Sequence, residues 1–407
     1  MKRSLLSLAA GITAAAAAQT SYLAWATDSF LRRGVTQDFH YTTATLYLGY
    51  EAAYSLTKNE TLYSWYQSQI DGILNDDGTI KKWNYSFHSL DEYQSPRVLG
   101  SFVHEAYPGD LAADWCLKRI ANNFIYWYEE TGDEKYKNAA DIVRNQMNNH
   151  PRTPSGGFWH REPTYPNQMW LDGIFMADSF YAKWTSLYDA DNTTAWDDIL
   201  LQFDNIEAHC RNATSGLLVH GYDESKKAVW ADPVTGGAPL VWNRAVGWYF
   251  ISLLEVLPIW PQSHAGYAKL LNYFTTLAAA LKTTQDESGG WWLIMNEPYP
   301  GAEGNYIESS ASAMFTLGWL KGIRLGYISS DEYLEVAKKG YALLTEDFVI
   351  PNANGTMSWD GTVVVGSLSS NGSYEYYINV PIAMNDYKGA GPFMLAAYEM
   401  ESWASSA

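Results

Sequence analysis

The sequence predicts an all-α fold, an (α/α)6 toroid of six helical hairpins around one axis, with a small β-hairpin cap. Three observations lead there. Apolar residues recur at i, i+3 and i+4 through long windows, and strict alternation is rare. These windows fit helices at roughly 21–33, 40–56, 60–73, 114–131, 134–149, 168–187, 195–211, 243–257, 265–285, 308–326, 331–348 and 390–403. The windows also alternate in character. Those at 40–56, 168–187, 243–257, 308–326 and 390–403 are apolar almost all round, whereas 134–149, 195–211 and 331–348 carry charge on one face. Helices apolar all round belong inside and amphipathic ones outside. Six outer–inner alternations describe a closed ring, an architecture that stays one domain at a length where single cores usually split.

Along the chain, residues 1–18 read as a signal peptide. Lys2 and Arg3 are its basic start, Leu5 to Ala18 its apolar run, and Ala16-Ala17-Ala18 a small-residue cleavage site before Gln19. That run is short for a membrane span. Residues 19–407 then form a single (α/α)6 domain. Within it, 94–118 breaks the helical period, with turn signals from Pro96 to Pro108-Gly109, and reads as an irregular insertion. The stretch 350–389, with Val363–Val365 and Tyr374–Tyr377 among Gly and Asn, reads as the short hairpin cap.

Composition narrows the function. The chain has 407 residues, 47% of them hydrophobic and 18% charged, so it can bury a large core. Its formal charge of −18 argues against nucleic acid and against an anionic membrane surface, both of which call for basic patches. Cys116 and Cys210 allow at most one disulfide, and neither sits in a zinc-type spacing. Eighteen Trp and 30 Tyr exceed what a core requires and suit a sugar-binding cleft. Six N-x-S/T sequons, at Asn59, Asn84, Asn192, Asn212, Asn354 and Asn371, agree with a secreted glycoprotein.

Chemistry-bearing residues gather where loops enter inner helices. Asp172 lies one turn into an otherwise apolar run, Met169 to Met176, where desolvation favours the protonated carboxyl that a general acid needs. A helix-start Asp favoured by the macrodipole is the plain alternative; the neighbouring His160 and Arg161 tip the balance toward catalysis. Asp91 and Glu92 form a carboxylate pair before the insertion, and His220 sits in a Gly-flanked turn. Arg244 stands between Trp242 and Trp248, where it could clamp a carboxylate while the indoles face a sugar ring.

These motifs resemble the unsaturated rhamnogalacturonyl hydrolases of glycoside hydrolase family 105, and more distantly the unsaturated glucuronyl hydrolases of family 88. The most specific runs are PNQMWLDG at 166–173, WNRAVGWY at 242–249 and NYIESSASAMF at 305–315. The resemblance implies a six-hairpin glycosidase fold. It makes Asp172 the proton donor and Asp91 the second catalytic Asp. It places Tyr41, His160, Arg161, His220, Trp242, Arg244 and Trp248 in substrate binding. In relatives, the Leu-Asp-(Asp/Glu) motif runs into an Arg-Ile-Gly-Asn-Asn helix start, whereas here 94–118 intervenes before Arg119-Ile120-Ala121-Asn122-Asn123.

The implied substrate is an oligosaccharide ending in a 4,5-unsaturated uronic acid. Protonation of C4 by Asp172 and addition of water at C5 would release it, with no metal or organic cofactor needed, and the protein is expected to act as a monomer. The chain's net charge does not attract that anion, so Arg161, His160, His220 and Arg244 are expected to hold its carboxylate. Three other readings stand beside this one: an unsaturated glucuronyl hydrolase, a conventional inverting glycosidase using Asp91 and Asp172, and an inactive carbohydrate-binding homologue.

Overall fold

The computed structural model describes residues 21–90 and 118–406. The expected signal peptide, Asp91, Cys116 and the insertion up to residue 117 lie outside the described residues.

The helices alternate as the periodicity predicts. Outer α1 (Tyr22–Arg33) leads into inner α2 (Tyr41–Thr57), and α3 (Glu60–Ile73) into α4 (Ala121–Thr131). Next, α5 (Glu134–Met147) leads into α6 (Leu171–Gly173), a π-helical turn at Ile174–Asp178 and α7 (Ser179–Tyr188), which together form one inner helix. Then α8 (Thr193–Cys210) precedes α9 (Asn243–Val256), and α10 (Gly266–Thr283) precedes α11 (Ser309–Arg324). Finally α12 (Ser330–Leu343) is joined, past the one-turn α13 (Tyr374–Ile378), to α14 (Tyr387–Ser406). The ring closes because α2 packs on both α4 and α14, α4 on α7, α7 on α9, and α9 on α11, which returns to α14.

Burial follows the pattern. Inner α9 buries every residue but Glu255. Outer α5 buries the stripe Tyr136, Ala139, Ala140, Val143, Gln146 and Met147, spaced at three and four. Many of the Trp side chains are core rather than cleft: Trp127, Trp196, Trp291, Trp319 and Trp359 are fully buried far along the helices and loops. The aromatic excess therefore mostly fills the wide space between two rings of helices.

Among the described residues, three short antiparallel pairs form in the connections that lead into inner helices. β1 (Gln168–Trp170) pairs with β2 (Gly221–Asp223), β3 (Val349–Pro351) with β4 (Met357–Trp359), and β5 (Thr362–Val363) with β6 (Ile382–Ala383). The expected cap is thus two hairpin pairings, and Tyr374–Tyr377 is helical, not strand. Ser373 starts that turn by accepting the Tyr376 N–H at 3.2 Å. The insertion's last residue also belongs to the folded body: Lys118 is 1% exposed, with Nζ donating to Gln146 Oε1 at 3.1 Å.

Inner-to-outer turns are short, as at 58–59 and 132–133, whereas outer-to-inner connections such as 148–170, 211–242 and 349–386 are long. The long loops therefore all gather at the N-terminal ends of the inner helices. An ion pair with a buried arginine braces the inner helices. Arg119 is 1% exposed, forks onto Glu255 at 2.6 and 2.7 Å, and reaches Ser179 Oγ at 2.7 Å.

Candidate active site

The site is assembled by the β1–β2 pairing. The sequence pattern places 168–170 inside the helix, but these residues are a strand whose Trp170 faces Gly221 in register. Only glycine permits that approach, because a Cβ at Gly221 would lie 2.7 Å from the Met169 carbonyl. Asn167, at a φ of 60°, turns the chain into the strand. The helix begins at Leu171, whose N–H donates to the His220 carbonyl at 3.0 Å. The side chains of residues 172 and 220, far apart in sequence, are thereby brought together.

Asp172 Oδ2 lies 3.1 Å from His220 Nε2, and His220 Nδ1 lies 2.6 Å from the Tyr377 hydroxyl. His220 and Tyr377 are buried, whereas the Asp172 side chain keeps 11% exposure. Burial, reinforced by the neighbouring Tyr376 and the Asp172 charge, pushes the Tyr377 phenol well above its ordinary range, so it stays protonated. The sequence reading did not single out Tyr377 as a site residue. Its only signal was a tyrosine-rich turn in a Gly- and Asn-rich loop.

His160 and His220 flank the Trp170 indole. The His160 ring stacks on it at 4.0 Å, and the His220 ring meets it edge-on at 5.5 Å. Gly173 leaves the room for this, since a Cβ there would press on Leu90 at 2.9 Å and near His160 at 3.5 Å. Leu90 donates its N–H to the His160 carbonyl at 2.9 Å, and Arg161 Nε donates to Ser89 Oγ at 3.0 Å. The chain just before Asp91 is thus tied to the His160-Arg161 segment.

Across the site, Trp242 packs against His220 at 4.8 Å and Tyr377 at 5.9 Å. Deeper, Trp248 stacks on Phe175 at 4.4 Å and meets Tyr41 at 6.4 Å, and the Arg119 guanidinium covers Phe175 at 3.8 Å. Tyr41 and Trp248 are buried and form a floor rather than an open wall.

Arg244 departs from the expected open clamp. It is 1% exposed and donates to the Val363 and Val364 carbonyls, with Glu308 Oε1 at 3.7 Å. Glu308 in turn accepts from the Val363 N–H at 3.1 Å and from the Ala311 N–H at 2.9 Å. Each terminal nitrogen of the guanidinium thus bonds to protein, so the residue is held by the β5 segment rather than open to solvent. Trp242 Nε1, both polar atoms of the Asn243 side chain and Arg244 Nε are buried without a protein partner among the described residues. Four such atoms in three consecutive residues mark polar space at this helix start, where ordered water fits.

Among the described residues, no group of three or more His, Cys, Asp or Glu is placed to hold a metal, and no helix is long and apolar enough to cross a membrane. Cys210 is buried and forms no disulfide among the described residues.

Comparison with known proteins identifies the family. A glycoside hydrolase of family 105 from C. acetobutylicum superposes with a TM-score of 0.83 at 32% identity, covering 94% of this chain and 99% of that one. Protein Atu3128 of Agrobacterium fabrum is 35% identical over 212 residues, 50% of this chain and 89% of its own length. The unsaturated rhamnogalacturonyl hydrolase YesR of Bacillus subtilis is 25% identical over 233 residues, 56% of this chain and 61% of its own. The description of Glycosyl Hydrolase Family 88 matches residues 20–404, so the chain belongs to that family and is a glycoside hydrolase.

Proposed function

We propose that this hydrolase removes a 4,5-unsaturated uronic acid from the non-reducing end of lyase-generated oligosaccharides of the rhamnogalacturonan type. The observation that carries the reading is one partly exposed carboxyl, Asp172, oriented by a buried His220 in a chain with these relatives.

With Oδ2 engaged by His220, Oδ1 is the oxygen left to carry the reacting proton. Asp172 transfers that proton to C4, and positive charge develops at C5 beside the ring oxygen. Water adds to C5 and returns a proton to Asp172. The C5 hemiketal opens by breaking its bond to the ring oxygen. The hemiacetal left at C1 then expels the next sugar as an alcohol, so one water is consumed per bond cleaved. The anomeric carbon is never attacked, so the carboxylate-separation rule for ordinary glycosidases does not apply.

Incubation with lyase digests of rhamnogalacturonan, pectin and glucuronan tests the reading through loss of the enoate ultraviolet absorbance. Loss confined to the rhamnogalacturonan digest is expected. Cleavage of saturated oligosaccharides with no such specificity would instead identify a conventional glycosidase.

We also propose that the protein is secreted and N-glycosylated. All six sequon asparagines are exposed. Expression through a eukaryotic secretory route should give a mass that falls on peptide N-glycosidase treatment; an unchanged mass would exclude glycosylation.

A further inference from the structure

We infer that Tyr377 is a positioning residue that fixes the tautomer of His220 and so keeps the reactive proton of Asp172 on Oδ1. This rests on the acid–base role proposed for Asp172.

The geometry is a chain of three side chains from three separate parts of the ring. Asp172 comes from α6, His220 from the turn before β2, and Tyr377 from α13. Its two links are 3.1 and 2.6 Å. The buried phenol has one recorded hydrogen-bond partner among the described residues, His220 Nδ1. If it accepted a proton from Nδ1–H, its own hydrogen would be buried without an acceptor. Leaving a buried donor unmade costs more than a typical hydrogen bond contributes. The phenol therefore donates into Nδ1, which leaves a neutral imidazole with its proton on Nε2. Nε2–H then occupies Asp172 Oδ2. The opposite tautomer would turn the Nε2 lone pair toward Oδ2 and draw the acid proton onto the oxygen that faces the histidine. The mobile proton is useful only on the other oxygen.

The loop that delivers Tyr377 is anchored for this purpose. Arg244 and Glu308, at the starts of α9 and α11, grip the backbone at Val363 and Val364. Val364 then donates its N–H to the Pro381 carbonyl at 2.8 Å, closing the loop around α13. Trp242 packs on Tyr377 and holds the phenol against the imidazole.

The test combines kinetics with spectroscopy on the full chain. Tyr377→Phe should lower kcat about 10- to 100-fold with KM within about twofold, as loss of a group acting through the general acid predicts. In a His220→Gln background, where an amide N–H needs no tautomer, the same Tyr377→Phe change should cost less than about threefold. Equal losses in both backgrounds would make Tyr377 a packing residue and overturn the inference. Selective 15N-histidine spectra of the wild-type protein do not depend on turnover. They should show His220 with Nε2 protonated and Nδ1 as a hydrogen-bond acceptor. An Nδ1–H tautomer, or an imidazolium at the working pH, would overturn the inference even if the enzyme hydrolyses its proposed substrate. Absence of turnover by the wild-type protein with these spectra intact would instead refute the proposed function.

Discussion

Arg244→Met separates two readings of the same residue. A carboxylate clamp would act on the substrate, so its loss would raise KM and leave the fold alone. The structure instead gives Arg244 to the protein: two backbone carbonyls of the β5 segment and Glu308, which is fully buried. Methionine keeps the apolar stem and roughly the volume, so the change removes chiefly charge and hydrogen bonds. Breaking a buried pair by removing one partner costs about 3–5 kcal/mol. The lower end applies here, because the pair is long at 3.7 Å and Glu308 keeps the Ser310 hydroxyl and the Ala311 and Val363 N–H groups. A loss of about 3 kcal/mol is therefore expected, read as a lower urea midpoint at unchanged slope. Because the β5 strap carries Tyr377, kcat should fall too. The double variant Arg244→Met/Glu308→Gln should lose less than the sum of the singles, since the second change removes the charge that the first leaves stranded. Full stability of Arg244→Met together with a tenfold or larger rise in KM would refute this argument and restore the clamp.

Three further outcomes follow from the geometry. Asp172→Asn should retain its melting temperature and lose at least the ~10²–10⁴-fold that general acid–base groups supply, because the amide keeps the shape but carries no transferable proton; a variant with a tenth of wild-type rate would remove Asp172 from the chemistry. Arg119→Met should destabilise the ring by up to about 3 kcal/mol in urea melts, the low end for a broken ion pair because the Glu255 side chain keeps 23% exposure, and a neutral result would show that water already screens that pair. Burial raises the Glu51 carboxyl from 4.5 to about 7, so the stability linked to it is full below the lower value and lost as pH rises through the upper one. Glu51→Gln should therefore flatten the melting profile across that window by at most about 3 kcal/mol, a ceiling because Glu51 keeps some accessible surface; an unchanged slope would show the carboxyl ionised throughout.

The ring was legible because its signal is periodic and repeated. A stripe such as Tyr136, Ala139, Ala140 and Val143 needs no tertiary information to be read as an outer face. Asp172 was legible because a carboxyl in an apolar helix start violates the local pattern. What escaped is what tertiary contacts decide. Residues 168–170 have helix-compatible spacing and become strand only because Gly221 comes within reach of Met169. Tyr377 looked like part of a strand, and nothing near it in sequence announces His220, 157 positions away. Arg244 between two indoles suits a clamp equally well in sequence terms. Only Glu308 and the β5 carbonyls, brought in by other helices, show where its charge is used.

An acidic chain proposed to bind an anion poses an electrostatic problem, and the ring offers a local answer. The inner helices α2, α6, α9, α11 and α14 all start at the site face. Each carries the equivalent of about half a positive charge at its N-terminus. Glu308 already neutralises the start of α11 by accepting the Ala311 N–H. The starts of α6 and α9, beside Asp172 and Trp242, carry no side-chain cap, with His160 and Arg161 alongside. The chain's formal charge of −18 is spread over a large surface. At physiological ionic strength, charges more than about 8 Å away are screened, while fixed dipoles and cations at the site are not. KM for an unsaturated uronyl oligosaccharide should therefore change less than about threefold between low and physiological salt. If repulsion from the whole surface governed access, salt would relieve it and KM would fall steeply. Steady-state kinetics over a salt series distinguishes the two, and a steep fall in KM would refute local binding by the helix starts.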